Sequence, residues 1–107
     1  MSYDIWLAID TGGPEPAEVA RPWNFTSNCA PMWCAAGIDF AAISGSTAGM
    51  VAPDLERAIE ALKADPERFR KMDAPNGWGT YDQLLPALEE LLASWRAHPK
   101  ATVVVSR

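Results

Sequence analysis

From Tyr3 to Asp10 every second position is a large apolar residue, and the charged residues fall only on the positions between. In an extended chain Tyr3, Ile5, Leu7 and Ile9 share one side, and Asp4, Trp6, Ala8 and Asp10 share the other. The pattern predicts a strand whose odd-numbered residues face a core. Trp6, on the polar side, then needs cover from another element or a partner. Thr11-Gly12-Gly13-Pro14-Glu15-Pro16 ends the strand, because the glycines admit positive φ and the prolines stiffen the path beyond. A surface turn explains Gly12-Gly13 better than an anion-binding loop, since no Gly-Lys-Ser/Thr follows. Arg21 to Thr26 predicts a second short extended segment. Ala101 to Ser106 predicts a terminal strand, in which the apolar triplet Val103-Val104-Val105 suggests cover on both faces.

Between these segments the apolar period changes to that of a helix. Thr26, Ser27 and Asn28 are all suited to cap a helix running to about Ala36, with Pro31 in its first turn and Gly37 just past its end. Ile38 to Ile43 is read as a connector covering the core, and Ser44-Gly45-Ser46 as a turn. Val51, Leu55, Ala58, Ile59 and Leu62 form the stripe of a helix over Thr47–Ala64. Its regular part is expected to begin at Pro53, after one irregular turn, which sets Asp54 and Glu56 near the positive helix end. Asp65 caps a short helix to about Met72, with Pro66 in first position and Phe69 and Met72 buried. Ala74 to Gly79 is a loop around the turn dipeptide Asn76-Gly77. Thr80-Tyr81-Asp82-Gln83 matches a capping box. The helix it opens runs to about Ala97 on a stripe of Leu84, Leu88, Leu91 and Trp95, with Glu89, Glu90 and Arg96 on its solvated face.

These elements predict an α+β fold in a single domain spanning residues 1–107. A small antiparallel sheet pairs the N- and C-terminal strands under about four helical segments. Two strands alone are marginal, so the segment at Trp23–Thr26, or the edge of a partner, is expected to complete the sheet.

Charge and composition narrow the function classes. The formal net charge is −5 over 107 residues, and no stretch collects Lys or Arg. This argues against a phosphate footprint on nucleic acid and against a polybasic membrane contact. No apolar run approaches the roughly 20 residues of a membrane span. The opening Met-Ser-Tyr-Asp-Ile-Trp lacks the basic residues and apolar run of a secretory leader, so an intracellular, cytoplasmic protein is expected. Cys29 and Cys34 are the only cysteines, their spacing places them on different helix faces, and His98 is remote. They suit neither a metal site nor a Cys-x-x-Cys redox pair, and no metal or cofactor is expected.

The chemistry concentrates in Trp23–Trp33 and in Asn76–Gly79. Trp23, Trp33 and Trp78 are able to stack on a flat ring, Asn24, Asn28 and Asn76 to read its polar edge, and Gly77 to shape the loop beside it. Thr26, Ser27 and Asn28 open a helix whose free N–H groups suit a phosphate. Each has a plainer role, because caps and turn bonds use the same residue types, and Trp78 is expected to plug the edge of the core. Asp10, Asp39 and Asp82 are carboxylates without a paired base or nucleophile at diagnostic spacing, so no catalytic residue is assigned.

Tyr3-Asp4-Ile5-Trp6-Leu7, Asp10-Thr11-Gly12-Gly13-Pro14-Glu15-Pro16, Asn24-Phe25-Thr26-Ser27-Asn28, Pro31-Met32-Trp33, Asn76-Gly77-Trp78-Gly79 and His98-Pro99-Lys100-Ala101-Thr102 resemble a family of small proteins encoded by actinobacterial phages. The resemblance covers nearly the whole chain. It implies a phage source and a role in the cytoplasm of the host cell, and it supplies no established chemistry. The leading expectation is an interaction or oligomerising protein that meets host or phage components, or a second copy, through Trp6 and the Val103–Val105 edge. The alternative is a small-molecule binder of a nucleotide-like ligand, which by analogy could sequester a host defence signalling nucleotide. An uncharacterised enzyme is the third and least favoured reading.

Overall fold

The computed structural model of the chain describes residues 2–14 and 16–107, without the side chains of Ala20 and Arg21. Three strands, β1 (Ser2–Ile9), β2 (Ala17–Thr26) and β3 (Thr102–Ser106), form one sheet in the order β2-β1-β3 with antiparallel pairing throughout. Between β2 and β3 run a 3-10 turn (Ser27–Cys29) and the helices α1 (Ala30–Ala36), α2 (Phe40–Ile43), α3 (Ala48–Ala64), α4 (Pro66–Arg70) and α5 (Tyr81–Ala97). The fold is α+β, the N- and C-terminal strands pair, and β2 supplies the third strand. Among the described residues no helix is long and apolar enough to cross a membrane.

The register puts Ile5 and Leu7 on the core face as expected, but Ile9 at the end of β1 is exposed and Ala8, on the other side, is buried. Ile5 faces Trp23 on one side and Val105 on the other, and Leu7 faces Val19 and Val103. Ile5, Leu7, Phe25 and Val103 are buried and join the core with Trp33, Phe40, Leu55, Leu88 and Trp95. Between Ile5–Trp23 and Leu7–Val19, two steps along β1 match four along β2. Pro22 lies in this irregular stretch, where a residue without an N–H is tolerated.

The Val triplet is not covered on both faces. Val103 is buried, whereas Val104 pairs with Trp6 on the outer face and is only half-buried. That cross-strand neighbour is Trp6's partial cover. Nor is the outer edge of β3 open. Gly45 N–H donates to the Val103 carbonyl at 2.7 Å, Val103 N–H to the Ser46 carbonyl at 2.8 Å and Val105 N–H to Ser44 Oγ at 3.0 Å. A backbone bridge of Thr47 to Thr102 continues that cover.

Two helical expectations are corrected. The Ile38–Ile43 stretch is not a plain connector. Asp39 Oδ1 accepts from Ala41 N–H at 3.1 Å and caps the single turn of α2, which buries Phe40. α3 does not begin at Pro53 but runs unbroken from Ala48, with Pro53 inside it. Seven buried residues of α3 (Ala48, Val51, Ala52, Leu55, Ala58, Ile59 and Leu62) lie on both sides of that proline. Their burial outweighs the one hydrogen bond that a proline removes.

α3 and α5 pack on each other, and a buried polar contact fixes their ends. In a continuing helix the Leu62 carbonyl would accept from the residue four positions on. That residue is Pro66, which has no N–H and instead starts α4. The Tyr81 hydroxyl fills the vacancy, donating to the Leu62 carbonyl at 2.9 Å from the first residue of α5. Tyr81→Phe should therefore lower the unfolding free energy by about 1–3 kcal/mol, the range for orphaning a buried acceptor. Urea denaturation should read this as a lower midpoint at unchanged slope.

Candidate functional site

The end of β2 and the loop before α5 are fifty residues apart in sequence and meet in space. At the first, Thr26 Oγ1 accepts from Asn28 N–H at 3.3 Å and turns the chain from strand into the 3-10 turn. At the second, Ala74–Gly79 is folded by its own side chains. Asn76 Oδ1 accepts from Trp78 N–H at 2.9 Å, and Gly77, at φ 74°, takes a left-handed conformation. Gln83 reaches back from α5, and its Oε1 accepts from Gly79 N–H at 3.1 Å and Thr80 N–H at 3.2 Å. Asp73 Oδ1 accepts from Tyr81 N–H at 2.7 Å.

Two contacts join the segments. Asn28 Nδ2 donates to the Trp78 carbonyl at 2.9 Å. Gly79, at φ 103°, packs its backbone directly on the Thr26–Cys29 turn. A Cβ there would lie 2.9 Å from Thr26 Cγ2, 3.0 Å from Asn28 Cβ and 3.2 Å from Cys29 Sγ. Gly79 is thus required both by its backbone angle and by lack of space.

The junction borders a groove of about 920 Å³, open to solvent. Trp23, Thr26, Asn28, Asn76 and Trp78 line it, and buried Phe25, Cys29 and Leu84 contribute from beneath. The Trp78 side chain is 71% exposed, so it is not the core plug that its position between two glycines suggests. Its peptide is held on both sides by Asn76 and Asn28 while its ring stays in solvent.

The other anticipated residues divide sharply. Trp33 is wholly buried and does not line the groove. It sits at the centre of the core, 5.0 Å from the Tyr3 ring and 5.0 Å from the Phe40 ring, both edge-on, because its helical position points it beneath the sheet. Asn24 borders the groove, but its amide donates to Asp4 Oδ1 at 2.7 Å across the strand pair. Ser27 and Gly77 are not among the lining residues. Gly77 only shapes the turn. The helix mouth is not open to an anion either. Asn28 N–H is taken by Thr26 Oγ1, and α1 begins later, at Ala30, with Pro31 in its first turn.

The α5 wall was not anticipated. Gln83, Leu84, Ala87 and Glu90 all line the groove. Their spacing places them on one helix face. That signal was masked because Gln83 reads as a local cap and Glu90 as ordinary solvated surface.

Burial, and secondarily the nearby Asp73 carboxylate, push the Cys29 thiol up to about 11. It is therefore protonated near neutrality and a poor nucleophile. Cys34 is exposed, and partial desolvation followed by Asp39 raises it also. Among the described residues, no three His, Cys, Asp or Glu side chains gather as a metal site.

No protein-family model, curated protein or solved structure matches the chain. The resemblance to small actinobacteriophage proteins gains no support from these comparisons, and the groove must be interpreted on its own chemistry.

Gly79→Ala should push the 74–79 loop off the Thr26–Cys29 turn. We expect destabilisation of about 1–3 kcal/mol from the strained backbone alone, with faster amide exchange at Trp78 and Gly79 by NMR. Unchanged exchange would show that the loop does not depend on this contact.

Proposed function

We propose that the chain is a small-molecule binding protein whose groove takes a flat, nucleotide-like ring against Trp78. The observation that carries this reading is an exposed indole on a fixed backbone. Trp78 is 71% exposed, yet Asn76 holds its N–H and Asn28 holds its carbonyl, each at 2.9 Å. Leaving so large an apolar surface in water forgoes roughly 25 cal/mol per Å² of burial. A second surface laid on it recovers that energy, and the loop ordering has already been met in folding. Stacking of a base on an aromatic side chain contributes about 1–3 kcal/mol. Half-buried Trp23 adds a second aromatic to the same groove.

A panel of nucleosides and nucleotides followed by thermal shift tests the reading. A member present at a hundredfold excess over its Kd should add about 2.7 kcal/mol. Trp78→Ala should keep the fold, because the ring is exposed, and weaken binding at least about tenfold. The reading fails if no member shifts the transition.

A second reading, self-association, draws on the outer sheet face. There Trp6 stands opposite Val104, both half-buried, beside a shallow hollow of about 300 Å³ bounded by Asp4, Trp6 and Trp23. A mass by light scattering that rises with concentration, and stays monomeric in Trp6→Thr, supports it. A constant monomer mass removes it. The covered β3 edge does not contribute to this reading.

A further inference from the structure

The two amides that clamp Trp78 are only half used by the protein. Asn76 Oδ1 accepts from Trp78 N–H, and Asn28 Nδ2 donates to the Trp78 carbonyl. These partners settle which end of each amide is which, because a backbone N–H requires an oxygen and a backbone carbonyl requires an N–H. Asn76 Nδ2 therefore remains with its donors, and Asn28 Oδ1 with its lone pairs. Neither has a further partner among the described residues. Both residues are exposed and line the groove beside the indole. Gln83 is different: its oxygen is shared by Gly79 and Thr80 N–H, and its nitrogen donates to the Gly77 carbonyl at 3.4 Å. The residual capacity beside Trp78 is thus one donor group and one acceptor.

We infer that this pair reads the edge of the bound ring. The ligand class is a flat heteroaromatic that carries a hydrogen-bond acceptor next to a donor on one edge. A lactam such as that of hypoxanthine presents this edge, as does the amidine edge of adenine. The inference rests on the binding reading above and adds to it a chemical selection that stacking cannot supply. Any π-face stacks on an indole. An amide that loses its water on binding needs a partner of the correct polarity, and a ring without one leaves it unpaired.

The test uses inosine and 1-methylinosine with the wild-type chain and with Asn76→Asp, by isothermal titration. Asn76→Asp keeps the oxygen that Trp78 N–H needs and removes the donors, so its melting temperature should match wild type. Inosine should bind Asn76→Asp about tenfold more weakly than wild type, the effect of one lost hydrogen bond to a desolvated group. 1-Methylinosine keeps the carbonyl but lacks the N1–H donor, and should bind wild type about tenfold more weakly than inosine. Should Asn76→Asp unfold, the two nucleosides on the wild type still decide the matter. Equal affinity for both nucleosides, with other Trp78-dependent binding intact, overturns the edge reading and leaves the stacking site standing. No binding by any nucleoside or nucleotide of the panel overturns both.

Discussion

The fold depends on one buried ring. Trp33 has no exposed surface and meets Tyr3 of β1, Phe25 of β2 and Phe40 of α2 edge-on, with centroids at 5.0, 6.0 and 5.0 Å. Phe40 continues the contact to Trp95 of α5 at 6.3 Å. Such pairs favour edge-to-face geometry because the ring edge is positive and the face negative, adding about 0.5–1.5 kcal/mol each beyond area burial. The consequence is positional. A short helix that would be marginal alone is locked to the sheet, and the turn before it, Thr26–Cys29, is placed as one wall of the groove.

The opposite wall is placed by a different device. Pro66 cannot donate to the Leu62 carbonyl, so the hydroxyl of Tyr81 does. That bond sets where α5 starts relative to the end of α3. The capping box of Thr80 and Gln83 and the Asp73 bond to Tyr81 N–H then hang the 74–79 loop from that start. The groove is thus bounded by two short irregular segments, each anchored to a rigid part of the core. This is the arrangement in which a surface loop holds a defined shape.

Polar residues in the site serve the backbone first. Asn76, Asn28 and Gln83 all bond main-chain groups of the 76–80 stretch. The result is a tryptophan with a fixed peptide and a free ring. Cys29, which lines the same groove, is buried, and desolvation keeps its thiol protonated near neutrality. Trp23 and Trp78 line the groove beside Asn28, Asn76 and Gln83.

Local signals in the chain were enough for much of the structure. The alternation of Tyr3–Ile9, the Leu84–Trp95 stripe, the Asp65-Pro66 start and the Thr80–Gln83 box each depend on periods and caps spanning a few residues, and each element stands where those signals put it. Pairing of the two terminal strands followed because exposed strands need partners. The two stretches Trp23–Trp33 and Asn76–Gly79 stood out in the sequence, since both carry aromatics and amides without a local reason, but only Trp23–Asn28 and not Trp33 meets the second stretch. What only the tertiary structure decided was which aromatic goes inside. Trp33 and Trp78 look alike in sequence, yet one is wholly buried and the other is 71% exposed. Helical phase and the aromatic neighbours of α1 draw Trp33 into the core. The Asn28 and Gly79 contacts, made across fifty residues, turn Trp78 out. The continuity of α3 through Pro53 and the Gln83–Glu90 wall have the same origin, because side-chain burial against distant elements overrides what a short window of residues can express.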